Sequence, residues 1–363
     1  MVVTNLSIKD FIEINNLRIE AAFRHEKTDA IPIIIYASGP FLSRFVGIKT
    51  IEYYRDPKNM LNAQLAFRRR FYGLGILGPE YGVIVEPSAF GAKIIWRENE
   101  APLPEPLLKK PEDIDKLEIP EPLTSGFIPT VVATYRYMCE KVKKEYVDPL
   151  SGALGPLDIA VLLRGQDRFL IDIKLNPEII HKLLKKTSEF CDEFAKAREE
   201  LSEVEWTSIY FGDDFAGFLS PEDFKKFYLP YARSLFQKHK RKNRVCLWHC
   251  DAPTEHILEF IPELGIDAFL WPCPDTDLAI YKKKIGDKVT LVGALHPDLL
   301  LRGTPIEVEE ACRDQIRKGA PGGGYVFSLG GEIIPNTPSN NIEAMIRSVE
   351  KYGKLYHEEI KLE

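Results

Sequence analysis

The stretch RVCLWHCDAP, residues 244–253, carries an unbroken apolar run from Val245 to Trp248 that leads into a polar cluster of His249, Cys250 and Asp251. In RVCLWH (244–249) both alternating sets of positions are apolar, which is the pattern of a strand covered on its two faces, as strands of parallel sheets are. Such a strand delivers the residues that follow it to the end of the sheet where parallel α/β folds collect their chemistry.

Seven further runs share this character: AIPIIIYA (30–37), GVIVE (82–86), LDIAVLL (157–163), TSIYF (207–211), IDAFLW (266–271), VTLVGA (289–294) and YVFSL (325–329). Between them lie segments of helical period with legible starts. Ser220-Pro221-Glu222-Asp223 and Thr304-Pro305-Ile306-Glu307 each place a hydroxyl at the N-cap, proline at the first helical position and an acid in the first turn. Helices are also expected over 176–203 and 339–357, after Asn176-Pro177 and Thr337-Pro338-Ser339. Eight strands alternating with helices, with no linker between them, predict an α/β fold: a (β/α)8 TIM-type barrel over residues 1–363 with an N-terminal helical extension. An open doubly wound sheet is the alternative. No Gly-x-Gly-x-x-Gly follows the first strand, and Gly322-Gly323-Gly324 precedes a strand rather than a helix, so a dinucleotide cradle is not signalled. Residues 98–128, rich in Pro, Glu and Leu, read as an extended excursion over the surface.

Composition narrows the class. A net charge of -6 over 363 residues, without a basic tract, leaves no footprint for nucleic acid. The longest apolar runs, such as IPIIIYA and YVFSLGG, fall well short of the roughly 20 residues a membrane helix needs. The N-terminal MVVTNLSIKD lacks the basic-then-apolar order of a signal peptide, and six scattered cysteines form no disulfide framework, so a cytoplasmic protein is expected. Its helical outer surface would support a homodimer.

In a barrel, polar residues at the C-terminal strand ends share one mouth. His249 is the leading candidate there, as a general acid or base or as a metal ligand, with Asp251 the better-placed second ligand because adjacent residues on an extended chain point apart. Asp213 and Asp214 are a paired acid after a strand, suited to a proton-transfer role or to orienting His249; a turn is the alternative. His296, before a proline, suits hydrogen bonding to an anionic ligand or a plain turn. Arg164 would clamp a carboxylate or phosphate, or else form an intrachain ion pair. Tyr36, Tyr210, Trp248 and Trp271 would make an aromatic substrate pocket if they met at the mouth; each is otherwise an ordinary core residue.

The order of motifs resembles the uroporphyrinogen decarboxylase superfamily, and within it the corrinoid methyltransferase branch. The resemblance runs over nearly the whole chain, through RIEAAFRHEKTDAIPI (18–33), KKPEDIDKLEIPEP (109–122), GPLDIAVLLRG (155–165), DDFAGFLSPEDFKKFYLPY (213–231), WHCDAP (248–253), GDKVTLVGALHPDLLLRGTPIEVEEACRDQI (286–316) and GGGYVFSLGGEIIPNTPSNNIEAMI (322–346). It implies a (β/α)8 barrel. The porphyrinogen decarboxylases carry an arginine-rich motif after the first strand, where this chain has IIIYASGPFLSRF (33–45), so the counterions for a porphyrinogen's carboxylates are missing. The methyltransferase branch holds zinc with a His-x-Cys pair and a distal cysteine. Carried over, these positions fall on His249, Asp251 and Gly331, with Glu332 beside the last. Both thiolates are thus replaced, and the resemblance implies a harder site for zinc or another divalent metal, using His249, Asp251 and Glu332.

The expected activity is that of the methyltransferase component of a corrinoid-dependent demethylase, acting on a small donor such as an aryl methyl ether. The chain has no Asp-x-His-x-x-Gly cobalamin motif, so a separate corrinoid protein is implied. A carboxy-lyase acting on a small carboxylated substrate, with Arg164 as anchor, is the alternative.

Overall fold

The computed structural model describes residues 8–360; residues 1–7, which carry most of the leader expectation, lie outside the described residues. A short antiparallel hairpin, β1 (Ile94–Ile95) with β2 (Leu103–Pro104), sits at the start of the surface excursion. The main sheet is parallel, in the order β3 (Gly152–Leu154), β4 (Ser208–Gly212), β5 (Val245–His249), β6 (Ala268–Leu270), β7 (Thr290–Val292) and β8 (Tyr325–Val326).

Register aligns the strand ends. Leu154, Gly212, His249, Leu270, Val292 and Val326 are Cα partners in one continuous row, so His249 stands at the C-terminal rim of the sheet. Beyond β8 the wall continues through the extended segment 30–37: Ile33 bridges Phe327 in parallel, with Ile34 N donating to Phe327 O and Phe327 N to Pro32 O, both at 2.9 Å. Proline at 32 removes a ladder donor, so this expected strand is kept to a bridge. The molecule is a TIM-type barrel, as expected.

Two expected strands are helices. LDIAVLL lies within the helix Pro156–Arg164, and GVIVE within consecutive helical turns over Gly82–Ile84 and Val85–Ala89. The first is apolar all round because nearly every residue of it is buried, and complete burial erases the periodicity that tells a helix from a buried strand. Pro156 starts it, preceded by the three-residue β3. The helices Pro177–Ser202, Pro305–Gly319 and Ser339–Ile360 follow expectation, and Thr304 forms a full capping box with Glu307.

Side chains of the barrel divide into two apolar layers. Trp248 and Cys246 of β5 face outward with Phe211 and Phe269, against helices that include Leu229–His239 and Leu278–Ile285. The interior is filled by Ile34, Leu247, Ala268, Leu270, Val292 and Val326. Its N-terminal end is plugged by Ile19, Ala22 and Phe23 of the helix Ile8–Phe23, whose Ala22 carbonyl accepts a 2.8 Å bond from Thr290 Oγ1. One end of the barrel is closed by apolar residues, which leaves chemistry to the other. No described helix is long and apolar enough to cross a membrane.

Candidate active site

The site grows from the rim of β4, β5 and β6. His249 is the last residue of β5, its imidazole on the same side of the strand as Leu247, and its Nδ1 lies 3.2 Å from Leu270 O on the neighbouring strand. With Nδ1 donating to that carbonyl, Nε2 is turned to Asp214, whose Oδ1 is 3.0 Å away. Asp251, two residues past the strand, shares the parity of His249 and completes a cluster whose ligand-type atoms all lie within 4.8 Å of one another. Its backbone N also donates to Asp214 Oδ1, at 3.2 Å.

The neighbouring aspartate has a different task. Asp213 is buried, and its Oδ1 accepts from Leu157 N and Asp158 N at 2.9 Å, capping the helix Pro156–Arg164, while Oδ2 accepts from Tyr228 Oη at 2.9 Å. Asp158 returns the arrangement, accepting from Asp214 N and Phe215 N at the start of the turn Asp214–Phe218. The two carboxylates brace each other's loops, and Asp214 is held at the mouth as a result. A β-carbon on Gly155 would lie 1.9 Å from Asp213 Oδ2, so only glycine admits this packing.

Electrostatics at the mouth are one-sided. Burial alone would lower the His249 pKa, but Asp214 and then Asp251 overcome it and lift the imidazole to about 9. Burial acts against the Asp214 carboxylate too, yet the charge of His249 and its hydrogen bond hold that group below its ordinary value. Asp251 is raised by burial and by Asp214, and Glu332 by burial and by Asp251. Glu80, 5% exposed, is pushed up to about 7 by burial and by Glu332, although it accepts bonds from Gly39 N at 2.8 Å and Gly82 N at 2.9 Å. His249 is the one cation among the groups that act most strongly on these five carboxyl and imidazole side chains.

Aromatic rings border the cluster. Tyr36 stacks on Trp271 with centroids 5.0 Å apart, Trp271 meets His249 edge-on at 4.8 Å, and Tyr210 lies over His249 at 6.0 Å. Trp271 is locked by an Nε1 bond of 2.9 Å to Ser328 Oγ.

Several expectations are corrected. Trp248, fully buried, faces the helical layer and stacks on Phe269 at 4.8 Å, because it precedes an inward-facing residue on the same strand. Arg164 ends a helix rather than a strand, and its guanidinium is buried against Asp172 at 2.7 Å and Leu108 O at 2.7 Å, so it is the intrachain ion pair and not a carboxylate clamp. His296 has both ring nitrogens engaged, Nδ1 accepting from Asp298 N to cap the helix Pro297–Arg302 and Nε2 pairing with Asp275 at 3.3 Å. Asp213 is a cap. In the ligand-type cluster Asp214 stands where Glu332 was expected, Glu332 acting on it only through charge. Glu80 and Asp158 were not foreseen: the first lies in GPEYG (78–82), a segment without strand pattern, and the second inside an apolar run.

Comparison with known proteins agrees with this architecture. A uroporphyrinogen decarboxylase from Legionella pneumophila (strain Lens) is 27% identical over 361 residues, 93% of this chain and 97% of that protein. One from Aliivibrio salmonicida (strain LFI1238) is 28% identical over 287 residues, 76% of this chain and 78% of the relative. Among solved structures, a methyltransferase from Methanosarcina mazei superposes with a TM-score of 0.78 at 21% identity, covering 93% of this chain and 98% of its own. A B12-independent methionine synthase from Shewanella sp. W3-18-1 gives 0.53 at 12% identity, over 85% and 89%. These two likenesses establish the barrel fold. The uroporphyrinogen decarboxylase family model matches residues 15–352, and the chain belongs to that family.

Proposed function

We propose that the protein is the methyltransferase component of a corrinoid-dependent demethylation system, taking a methyl group from a small donor such as an aryl methyl ether. The acceptor is a corrinoid carried by a separate protein, which supplies the nucleophile that attacks the methyl carbon. The observation that carries this reading is the His249–Asp214 pair at 3.0 Å, bordered by Trp271 of the Tyr36–Trp271 stack and by the carboxyl of Asp251. When the carbon–oxygen bond breaks, its electron pair stays on oxygen, and an alkoxide or phenoxide is a poor leaving group unless its charge is met. Protonated His249 donates from Nε2 to that oxygen, Asp214 stabilises the imidazolium beforehand, and the Leu270 carbonyl keeps the ring in register. Tyr36 and Trp271 supply an apolar wall for a ring and exclude water from one side.

The family resemblance also implies zinc. The donor set here is one imidazole and two carboxylates, with no thiolate among the three, so a thiolate-bound zinc does not fit these residues and no step is derived through it.

The 25–28% identical relatives named as decarboxylases favour a second reading, a carboxy-lyase. Its expected anchor is missing, because Arg164 is engaged with Asp172, and His249 would have to meet a substrate carboxylate among the acids Asp214, Asp251 and Glu332. The two readings separate on partner dependence. The purified chain is assayed with a panel of methoxylated aromatics, with and without reduced free cobalamin as acceptor, following the corrinoid spectrum and released carbon dioxide. Methyl transfer that requires the corrinoid and falls roughly 10²–10⁴-fold in His249→Ala is expected. Carbon dioxide release without any corrinoid would overturn it.

A further inference from the structure

We propose that the mouth has a second recognition point, two rings away from His249, which takes an ammonium group carried by the methyl donor: Glu332 accepts the ammonium, with the Ser38 hydroxyl and the Tyr36 ring beside it. The donor class is then a methoxylated aromatic amine and not a methoxylated aromatic acid. Tyr36, Trp271, His249 and Tyr210 follow one another along the mouth with centroids 5.0, 4.8 and 6.0 Å apart. Each end of this row has its own acids. Asp214 and Asp251 are among the charges that act most on Tyr210, and Glu80 and Glu332 are those that act most on Tyr36. The His249–Asp214 end meets the departing oxygen, so the Tyr36 end faces the substituent on the far side of the ring.

Local structure explains why two groups at that end are left for a ligand. Ser38 stands at the N-cap of the helix Gly39–Val46, where a serine hydroxyl ordinarily accepts from the first turn. Here it does not, because Glu80 Oε2 receives Gly39 N at 2.8 Å in its place. Ser38 is only 5% exposed, its hydroxyl has no well-formed hydrogen bond, and it lies against the Glu332 carboxyl. A buried hydroxyl in that state is costly, and an ammonium N–H offers its lone pairs a donor. Glu332 is exposed, yet its carboxyl is raised most by the protein packed around it, as for a group lining a concave mouth. Among the described residues no lysine or arginine pairs with it, and the cation that acts on it, His249, is committed to Asp214.

Charge selects the ligand. Asp251 raises Glu332, and Glu332 raises Glu80, so these carboxylates repel one another in sequence. A bound cation relieves that repulsion, whereas a substrate carboxylate would add to it. The Tyr36–Trp271 pair contributes aromatic rings, to whose faces an ammonium is attracted more than an uncharged group of the same size. The ammonium takes no part in the bond exchange and stays on the aromatic product; it fixes which substituent points away from His249. That role rests on the methyl-transfer reading, while the binding rests on the geometry of the mouth.

The test is isothermal titration calorimetry of the full chain, without any corrinoid, against three probes that differ only at the end of the side chain: para-methoxyphenethylamine, its uncharged alcohol analogue and its carboxylate analogue. The amine is expected to bind roughly tenfold or more tightly than the alcohol, and the carboxylate more weakly than either. Glu332→Gln should remove most of the preference for the amine while binding the alcohol as the unaltered chain does, and Ser38→Ala should reduce the preference less. The alcohol thus reports folding in each variant. Equal affinity for amine and alcohol would sink the proposal, as would a preference that Glu332→Gln keeps in full or failure to bind the amine at millimolar concentration. Because binding is read without a corrinoid, a preference for the amine stands even if methyl transfer is not found. Conversely, corrinoid-dependent demethylation with no such preference would remove this site and leave the methyltransferase intact.

Discussion

The two halves of the barrel wall are held in different ways. From β3 to β8 the strands pair directly, backbone to backbone, and the row from Leu154 to Val326 is continuous. In the N-terminal half side chains do much of that pairing. Asn15 donates from Nδ2 to Ile33 O at 2.9 Å and accepts at Oδ1 from Ile33 N at 3.0 Å. Gln64 does the same for Gly78, at 2.8 Å to its carbonyl and 3.0 Å from its amide. Asp148 receives Leu77 N at 2.9 Å and gives its own N–H to Leu77 O at 2.7 Å. Each primary amide presents one donor and one acceptor to a main-chain pair, as a neighbouring strand would, because buried backbone groups need partners wherever a ladder is missing. The site follows the division: His249, Asp214 and Asp251 come from the laddered half, whereas Tyr36 and Glu80 come from the half that side chains tie together.

The contrast has measurable consequences, the largest in the laddered half. Trp248→Ala empties a fully buried volume between β5, Phe269 and Tyr228 and should cost about 3–5 kcal/mol in denaturant unfolding. Because the ladder itself is untouched, hydrogen exchange of the β4–β6 amides should stay among the slowest in the variant; preferential opening of β5 would contradict this.

In the tied half, Gln64→Leu keeps the volume but leaves the buried Gly78 N–H and C=O without partners, at about 2–4 kcal/mol. Here the loss should be local as well as global, with residues 77–80 exchanging early. A variant as stable as wild type would show that the amide is dispensable and the comparison empty.

Glu80 sharpens the comparison through pH. Its carboxyl ordinarily titrates at 4.5 and in the folded chain at about 7, pushed there by burial and by Glu332. Between these values the unfolded chain has released a proton that the folded chain keeps, so the carboxyl's contribution is greatest below 4.5 and declines as pH rises through the folded value. Glu80→Gln cannot ionise. Relative to wild type it should therefore gain stability from pH 4.5 to 7.5, by up to about 3 kcal/mol, and no further above that. A difference between the two proteins that does not vary with pH would place the titration elsewhere.

Much of this architecture is legible in the residues themselves. TSIYF covers β4 to within one residue, RVCLWH, IDAFLW, VTLVGA and YVFSL contain β5 to β8, and the caps at Ser220 and Thr304 form as written. The alternation rule that pairs His249 with Asp251 also places Trp248 on the opposite face, so a place for Trp248 in the pocket conflicts with the pattern of its own strand. LDIAVLL is not decidable in the same way, since an apolar run buried on every side has no period to read. Nor is the division of labour between Asp213 and Asp214. Two adjacent carboxylates look equivalent along the chain, and only the helix start brought to Asp213 from Leu157 and Asp158 makes one a brace and the other a member of the site.

Residue pattern is enough for the apolar runs of β4 to β8 and for the rim position of His249, because each depends on neighbours along the chain. Tertiary structure alone decided that Asp214 completes the cluster, that Arg164 is engaged with Asp172, and that Glu80 lies buried next to Glu332. Those outcomes depend on which charges meet and how far water is excluded from them, and both are set by how separate helices and strand ends pack together, from Arg164 and Asp172 on consecutive helices to Glu80 and Glu332 at opposite ends of the chain.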